Sequence, residues 1–387
     1  MELKHDFDEA IDRRGTGCKK YSQYPPDVFP MWIADTDFKA PAPVVEALVK
    51  RMQDGVYGYP ATSKRLWRAV QKWEAERFDW QIPETAVEFS PGVVPGVICA
   101  VRAFTKPGDQ ILIQTPCYPP FVDLTKHNRR VVVRNPLKLA GKRYEIDFED
   151  LEKKLTDPKT TLMILCNPQN PSGRVYTREE LERIGRLCLD NHVMVVSDEI
   201  HGDLTYSGHR HIPFASICPE FAEHCITFVN PSKTFNLAGF RTAAFIALNP
   251  EVKTAVHEEL VNSKIFGENI GGVEALCVAY ESCGYYADQM MEYVEANRKL
   301  VLERLEEIPG ISCVENEGTY LLFLDCRELG MTQEKLDRFL VEKAKLGLNS
   351  GVSFGPEGEG FVRMNIACPR AAVAKAMDQL AAAVKTL

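Results

Sequence analysis

The chain has 387 residues, of which 45% are hydrophobic and 26% are charged. This length exceeds what one hydrophobic core usually supports, and the composition is that of an ordinary globular protein, so we expect two domains and little disorder. The 54 acidic residues outnumber the 46 basic ones, and the formal charge of −8 leaves no broad basic surface for a nucleic acid backbone.

The amino-terminal segment, "MELKHDFDEAIDRRGTG", is charged and lacks the apolar core of a secretion signal. No later apolar run reaches the roughly 18 residues that could span a bilayer. We therefore expect a cytoplasmic protein that does not bind a membrane. Residues 1–45, which include "MWIADTDF", are predicted to form an N-terminal arm and part of a small domain.

Twelve cysteines are scattered through apolar stretches such as "GVICAV" and "RLCLD", without a Cys-x-x-Cys pair. This pattern favours reduced core residues over disulfides. His209 and His211 lie two residues apart in a loop flanked by glycine and proline, which is typical of surface histidines. We therefore expect no bound metal.

Residues 46–285 are predicted to form a large α/β domain. From about residue 86 to residue 248, short apolar runs such as "QILIQTP", "TTLMILCNP" and "CITFVNP" alternate with helical patterns. Thr177 and Glu180 have the spacing of a capping box at the start of one such helix. Runs that are apolar on both faces and separated by helices predict a mainly parallel sheet with helices on both sides.

Residues 286–387 are predicted to form a smaller α+β domain. A long helical pattern ends at Pro309 and Gly310 and is followed by the strand "TYLLFLD", the helix "TQEKLDRFLVEKAKL", the strand "GFVRMNIA" and an alanine-rich helix.

Polar residues follow four of the apolar runs in the large domain: "SPGVVPG", "NPQNPSG", "DEIH" and "PSKTFN". In an open α/β sheet, ligands bind at the carboxyl ends of the strands. We therefore expect these segments to converge on a single site.

These motifs carry a family resemblance. "NPQNPSG", an aspartate 28 residues after Asn170, and "SKTFNLAGFR" resemble the fold-type I pyridoxal-phosphate enzymes of the class I/II aminotransferase group. Within that group, "WIADTDF", "YGYP", "SDEIHGDL" and "PSKTFNLAGFRTA" are most similar to the MalY/PatB type of cystathionine β-lyase. The resemblance covers essentially the whole chain, and the motifs follow the family's order.

The resemblance implies pyridoxal 5′-phosphate as cofactor, with Lys233 as its Schiff-base lysine. Burial at a strand end suits this role, because loss of solvent favours the neutral amine. Asp198 corresponds to the carboxylate that keeps the pyridine nitrogen protonated. Asn170 corresponds to the residue that bonds the phenolic oxygen, and Tyr118 to the ring that stacks on the pyridine.

The family's phosphate ligands correspond to a hydroxyl, an arginine and the start of a helix, here Ser232, Arg241, Gly92, Val93 and Val94. Tyr59 in "YGYP" matches a tyrosine that reaches the phosphate of the neighbouring subunit, which implies a homodimer with shared sites. Arg363 matches the arginine that binds the substrate carboxylate, next to Asn170. Trp32 and Ala34 lie in the segment that closes over the substrate.

The resemblance favours a carbon–sulfur β-lyase acting on cystathionine, cysteine or related S-substituted cysteines. His201 occupies the position where many transaminases of this fold carry tyrosine, and it matches the lyase group. Tyr118 or Tyr59 could protonate the leaving thiol. The alternatives are an aminotransferase and, in another class, a cofactor-binding regulatory or interaction protein.

Overall fold

The computed structural model describes residues 4–61, 64–265 and 267–387. In chain order, the strands are β1 (Phe29–Pro30), β2 (Val87–Ser90), β3 (Gln110–Thr115), β4 (Val131–Pro136), β5 (Lys138–Ala140), β6 (Arg143–Glu145), β7 (Thr160–Cys166), β8 (Met194–Asp198), β9 (Cys225–Val229), β10 (Ala243–Ile246), β11 (Ser312–Cys313), β12 (Leu321–Asp325), β13 (Leu346–Gly347), β14 (Asn349–Ser350) and β15 (Phe361–Asn365).

The helices are α1 (Lys19–Ser22), α2 (Ala42–Gln53), α3 (Lys64–Phe78), α4 (Val93–Phe104), α5 (Pro119–His127), α6 (Phe148–Leu155), α7 (Arg178–Asp190), α8 (Pro219–Glu223), α9 (Pro250–Asn262), α10 (Ile270–Ser282), α11 (Gly284–Leu305), α12 (Gln333–Glu342) and α13 (Arg370–Val384). Short 3₁₀ turns lie between them.

The larger sheet has seven strands in the order β2–β10–β9–β8–β7–β3–β4. Neighbours from β9 to β4 run parallel, whereas β10 is antiparallel to both β2 and β9. The strands β2, β3, β7, β8 and β9 therefore end at the same edge of the sheet. The predicted α/β fold with a mainly parallel mixed sheet is confirmed.

Strand β7 shows why this sheet is covered on both faces. Leu162 and Ile164 belong to one hydrophobic cluster, together with α4 residues such as Val97. Met163 and Leu165 point to the opposite face and belong to a second cluster. Because successive side chains of a strand alternate between faces, an uninterrupted apolar run requires apolar cover on both sides.

Helix α7, which helps to cover the sheet, begins as the sequence predicts. The Thr177 hydroxyl accepts from the Glu180 N–H, and the Glu180 carboxylate accepts from the Thr177 N–H. Both bonds satisfy donors that a helix start otherwise leaves free. The predicted capping box is confirmed.

The smaller sheet is antiparallel and has the order β11–β12–β15–β14. The predicted strands "TYLLFLD" and "GFVRMNIA" form β12 and β15, and α11 packs against α13. The N-terminal segment joins this region, because β1 pairs in parallel with β13. The proposed boundaries after residues 45 and 285 stay predictions.

All twelve cysteines are free thiols, and nine of them are buried. Within the described ranges, no helix is both long and apolar enough to cross a bilayer. The same ranges hold no cluster of three or more His, Cys, Asp or Glu side chains arranged around a metal position.

Candidate active site

A cavity of about 750 Å³ opens where the five strands end, between the large sheet, the small sheet and the N-terminal segment. It contains every residue that the sequence predicts for the site except Tyr59: Trp32, Ala34, Gly92, Val93, Val94, Tyr118, Asn170, Asp198, His201, Ser232, Lys233, Arg241 and Arg363. Its volume is typical of a pocket that encloses a small molecule.

Lys233 follows strand β9 and directs its amine into the cavity. Nζ donates to the Ala34 carbonyl oxygen at 2.7 Å. Burial, helped by the positive charge of Arg363, lowers the pKa of Lys233 to about 8. A substantial fraction of this amine is therefore neutral near physiological pH, as a nucleophile or base must be.

Asp198 is the last residue of β8 and is 4% exposed. Its Oδ1 accepts from the Ile200 N–H at 3.1 Å. Burial raises the pKa of Asp198 to about 7, although the Ile200 bond and the charge of Lys233 oppose the rise. A cation placed against this carboxyl would restore its ionised form, because an opposite charge lowers the pKa of an acid.

One end of the cavity offers hydrogen-bond donors and positive charge. Gly92, with φ of 122°, precedes α4, so the first N–H groups of that helix are available beside it. Ser232 is buried after β9. Arg241 adopts the left-handed conformation, and no carboxylate of the described chain lies within ion-pair distance of it. This arrangement suits a phosphate dianion.

Arg363 lies on β15 and is 3% exposed. It donates to Asn170 Oδ1 at 2.9 Å and to the Trp32 carbonyl oxygen at 2.7 Å. Its Nε is buried and has no acceptor among the residues described. Burial lowers the pKa of Arg363 to about 10. A buried cation that faces no acid is costly unless an anion meets it, so this site suits a ligand carboxylate.

Tyr118 and His201 line the same cavity as neutral groups. Burial, together with the negative charge of Asp198, raises the pKa of Tyr118, so its hydroxyl keeps a proton to donate. His201 is buried with Nδ1 unpaired among the described groups. Burial, then the charges of Lys233 and Arg363, lowers the pKa of His201 to about 3, so the imidazole is neutral.

The N-terminal segment forms one wall. Carbonyl oxygens of Trp32 and Ala34 accept from Arg363 and Lys233, as described above. Asn365 donates to the carbonyl oxygens of Ile33, at 2.7 Å, and Asp35, at 2.6 Å. The contribution of Asn365 was not predicted; its only sequence signal is a polar residue two positions after Arg363 in an apolar strand.

A buried polar network lies beside Asp198 and Lys233, and it too was not predicted from the sequence. Glu199 accepts from the Ser197 hydroxyl and lies 2.8 Å from His211 Nε2. The prediction that His211 is a surface histidine is wrong, because its imidazole is buried against this carboxylate and is only 2% exposed. Asp203 accepts from the Thr234 hydroxyl at 2.8 Å and from the Trp73 indole at 3.1 Å. These bonds fix the residues next to Asp198 and Lys233. The acidic spacing in "DEIHGD" is the signal that could have indicated them.

Tyr59 is the one predicted site residue that the fold of a single chain does not bring to the cavity. It is fully exposed. It lies instead beside Met52, Tyr57 and the segment 267–271.

The chain is similar to known proteins along nearly its whole length. The family described as aminotransferase class I and II matches residues 36–380. Cystathionine beta-lyase PatB of Bacillus subtilis (strain 168) is 39% identical over 385 residues, covering 98% of this chain and 100% of that protein.

Two solved structures are similar over nearly the whole chain. Cystalysin from Treponema denticola, whose crystal structure contains a pyridoxal 5′-phosphate cofactor, has a TM-score of 0.96 and 34% identity, covering 99% of this chain and 100% of its own. The PLP-bound C-S lyase from Staphylococcus hominis, in its external aldimine form with L-cycloserine, has a TM-score of 0.92 and 32% identity, covering 99% of each chain. With the family match, these likenesses confirm the resemblance that the motifs indicate: the chain belongs to the aminotransferase class I and II family.

Proposed function

We propose that the protein is a pyridoxal-phosphate-dependent carbon–sulfur β-lyase. Its substrates would be cystathionine, cysteine or related S-substituted cysteines, and its products a thiol, pyruvate and ammonia. The observation that carries the proposal is the meeting of Lys233, Asp198 and Arg363 in one cavity, in a chain that matches a cystathionine β-lyase along its length.

The cavity residues fit the cofactor on three counts. Lys233 offers an amine of lowered pKa, Asp198 a buried carboxyl that forms no ion pair with the described residues, and Arg241 with the start of α4 a place for phosphate. When bound, pyridoxal phosphate supplies an aldehyde that condenses with amines and a ring that accepts the electron pair released at the substrate α-carbon.

The protein's own groups then have distinct tasks. Arg363 and Asn170 hold the substrate α-carboxylate, with the unpaired Nε of Arg363 as an additional donor. Lys233 Nζ, when it is not bonded to the cofactor, would accept the α-proton of the substrate. Asp198 would stabilise a positive charge on the ring nitrogen of the bound cofactor. The neutral hydroxyl of Tyr118, or that of Tyr59 from a second subunit, donates a proton to the leaving sulfur.

An aminotransferase is the second candidate, because the family description itself names that activity. Lys233, Asp198 and Arg363 serve either reaction, since the two routes share the removal of the α-proton. They differ afterwards: a transaminase keeps the amino group and needs a keto acid to complete its cycle, whereas a β-lyase expels the sulfur substituent and needs none.

We further propose a homodimer located in the cytoplasm. Val45, Val49 and Met52 repeat along one face of α2 and are exposed, as are Val56 and Tyr59. A row of exposed apolar side chains of this kind favours association, and a second chain there could bring Tyr59 to the neighbouring cavity. Free cysteines throughout the chain suit a reducing compartment.

The lyase proposal is tested by incubating the purified holoprotein with cystathionine and no keto acid. We expect one pyruvate for each thiol released, over many turnovers. The Lys233→Ala variant should release neither product. Amino-group transfer that depends on added keto acid, without pyruvate in its absence, would instead establish the aminotransferase.

A further inference from the structure

Lys19 is a cation at the cavity mouth that the proposed reaction leaves unused. It is exposed, it belongs to the short helix α1, and it lines the same cavity as Lys233. Its Nζ lies 5.9 Å from the centre of the Trp32 ring, within the range of a cation–π contact. Over the described part of the chain, no carboxylate lies within ion-pair distance of this ammonium.

The neighbouring charges are already paired. Arg13 donates to both carboxylate oxygens of Asp35, at 3.0 and 3.2 Å, and to Asp37 at 2.7 Å. Lys20, which is buried, donates to the other oxygen of Asp37 at 2.8 Å. Asp35 also lines the cavity, but it is paired with Arg13. Lys19 therefore contributes an uncompensated positive charge at this wall.

Residue 32 connects this charge to the carboxylate site. The carbonyl oxygen of Trp32 accepts from Arg363, while its ring faces Lys19 and its Nε1 donates to the Lys20 carbonyl oxygen at 3.1 Å. The indole is thus held in place by the Lys20 carbonyl oxygen, with its ring next to Lys19. Phe354, whose ring lies 4.9 Å from the Arg363 guanidinium carbon, adds a second aromatic ring to the cavity lining.

A substrate bound by its α-carboxylate at Arg363 has its sulfur substituent left to extend along this aromatic wall. A methylene chain suits the rings of Trp32 and Phe354, and an anion at its end suits Lys19. Resting on the proposed lyase function, we propose that Lys19 binds a carboxylate carried on the sulfur substituent. The preferred substrates are then S-substituted cysteines that bear a second acidic group.

The test uses two ligand pairs that differ only in this group. The unreactive pair is S-(3-carboxypropyl)-α-methylcysteine and S-propyl-α-methylcysteine, whose binding to the holoprotein is measured by calorimetry. The reactive pair is the corresponding cysteines with an α-hydrogen, for which kcat/KM is measured as pyruvate release. Lys19→Gln removes the charge, Lys19→Arg keeps it, and Lys375→Gln, on the exposed face of α13, is the matched control.

We expect Lys19→Gln to weaken binding of the carboxylate ligand and to lower its kcat/KM by about fivefold, the upper value for one exposed charge pair. The propyl ligands should be unaffected, and Lys19→Arg and Lys375→Gln should behave as wild type. Added salt should weaken binding of the carboxylate ligand more than binding of the propyl ligand, because salt screens an exposed charge pair.

Equal effects of Lys19→Gln on both ligands, or no effect on either, would overturn the inference. The binding arm separates this outcome from failure of the proposed function. Suppose that the wild type releases no pyruvate but binds the carboxylate ligand more tightly than the propyl ligand, and that Lys19→Gln loses this preference. The lyase reaction is then wrong and the role of Lys19 stands.

Discussion

Burial gives the amine of Lys233 its reactivity. Lysine side chains usually extend into water, which keeps them charged. Here the amine is held inside the cavity by the Ala34 carbonyl oxygen, and the charge of Arg363 adds to the effect of burial while Asp35 and Asp198 oppose it. The result is an amine whose protonation changes close to neutral pH, as its proposed role as a nucleophile requires. Its partner Asp198 is shifted the opposite way by the same loss of solvent.

The titration of Lys233 predicts how fast the apoprotein takes up its cofactor. Only the neutral amine can condense with an aldehyde, and burial, then the charge of Arg363, lowers the pKa of Lys233 to about 8. The rate of uptake, followed by absorbance, should therefore rise with pH with a midpoint near that value. In Arg363→Gln the midpoint should move upward, because a charge that disfavours the ammonium is gone. A wild-type midpoint near the ordinary lysine pKa of about 10.4 would contradict this account.

The carboxylate of Asp198 yields a second residue-scale prediction. Asp198→Asn preserves shape but cannot stabilise a protonated ring nitrogen, so pyruvate release should fall at least about 100-fold with cofactor still bound. Cofactor content is measured by absorbance in the same samples. Asp190→Asn, at the exposed end of α7, is the control and should retain full activity. Unchanged turnover in Asp198→Asn would show that the acid has no electrostatic role.

At the scale of elements, a buried ion-pair network joins the large sheet region to the small one. Arg174, just after the "NPSG" motif, is 0% exposed and donates to Glu317 Oε2 at 2.9 Å and to both oxygens of Glu180. Glu317, which precedes β12, also accepts from the Val175 N–H at 2.8 Å. Gly173 lies at the contact between these two regions. Its φ is +73°, and a Cβ there would lie 1.7 Å from Asn316 Nδ2, so a larger residue would not fit.

Breaking this network should destabilise the fold. Glu317→Gln should lower the free energy of unfolding by about 3 kcal/mol, the low end for a buried pair that loses one partner, because Glu180 still faces Arg174. Urea denaturation measures the change. The exposed pair Lys299 and Glu303 provides the control, where Glu303→Gln should change stability by less than about 0.5 kcal/mol.

The network also predicts an acid dependence. Burial alone would raise the pKa of Glu317, but the Val175 N–H and Arg174 lower it overall. Since the pKa of Glu317 is lower in the folded than in the unfolded chain, the ion pair contributes its full stability above about pH 4.3. This contribution to stability is lost as the pH falls further. The stability difference between wild type and Glu317→Gln should therefore shrink below about pH 4; a difference that is constant with pH would argue against the ion pair.

At the scale of the whole molecule, the crevice is assembled from three separate parts of the chain. The large sheet supplies Asp198 and Lys233, the small sheet supplies Arg363, and the N-terminal segment closes one wall through β1 and the carbonyl oxygens that follow it. Neither sheet forms the site alone, so the cavity depends on how these parts pack together.

Local patterns were enough to predict much of this arrangement. Apolar runs and polar strand ends indicated the mainly parallel sheet and the single cavity, and the motif order indicated the residues around Lys233. Local sequence could not predict that β10 runs antiparallel, or that Phe29–Pro30 pairs with Leu346–Gly347, because such pairings join residues far apart in the chain. The same holds for Lys19: its significance lies in having no carboxylate within ion-pair distance among the residues that the structure describes, which only the folded chain reveals.

The proposed dimer is a whole-molecule prediction. Light scattering should give twice the 43.6 kDa of one chain. Val49→Lys places a charge on the exposed apolar face of α2 and should shift the protein towards monomers, because an interface cannot readily bury an unpaired ammonium. Val352→Lys, another exposed valine, is the control. A wild-type mass of one chain would refute the dimer.

The central claim is that Lys233 carries an aldehyde cofactor through its amine. Reduction of the holoprotein with borohydride, followed by proteolysis and mass spectrometry of the peptides, tests it most directly. We expect a single pyridoxyl-phosphate label, on the peptide that contains "NPSKTFNLAGFR" and at Lys233. A label on another lysine, or no label on a protein that binds the cofactor, would contradict the account.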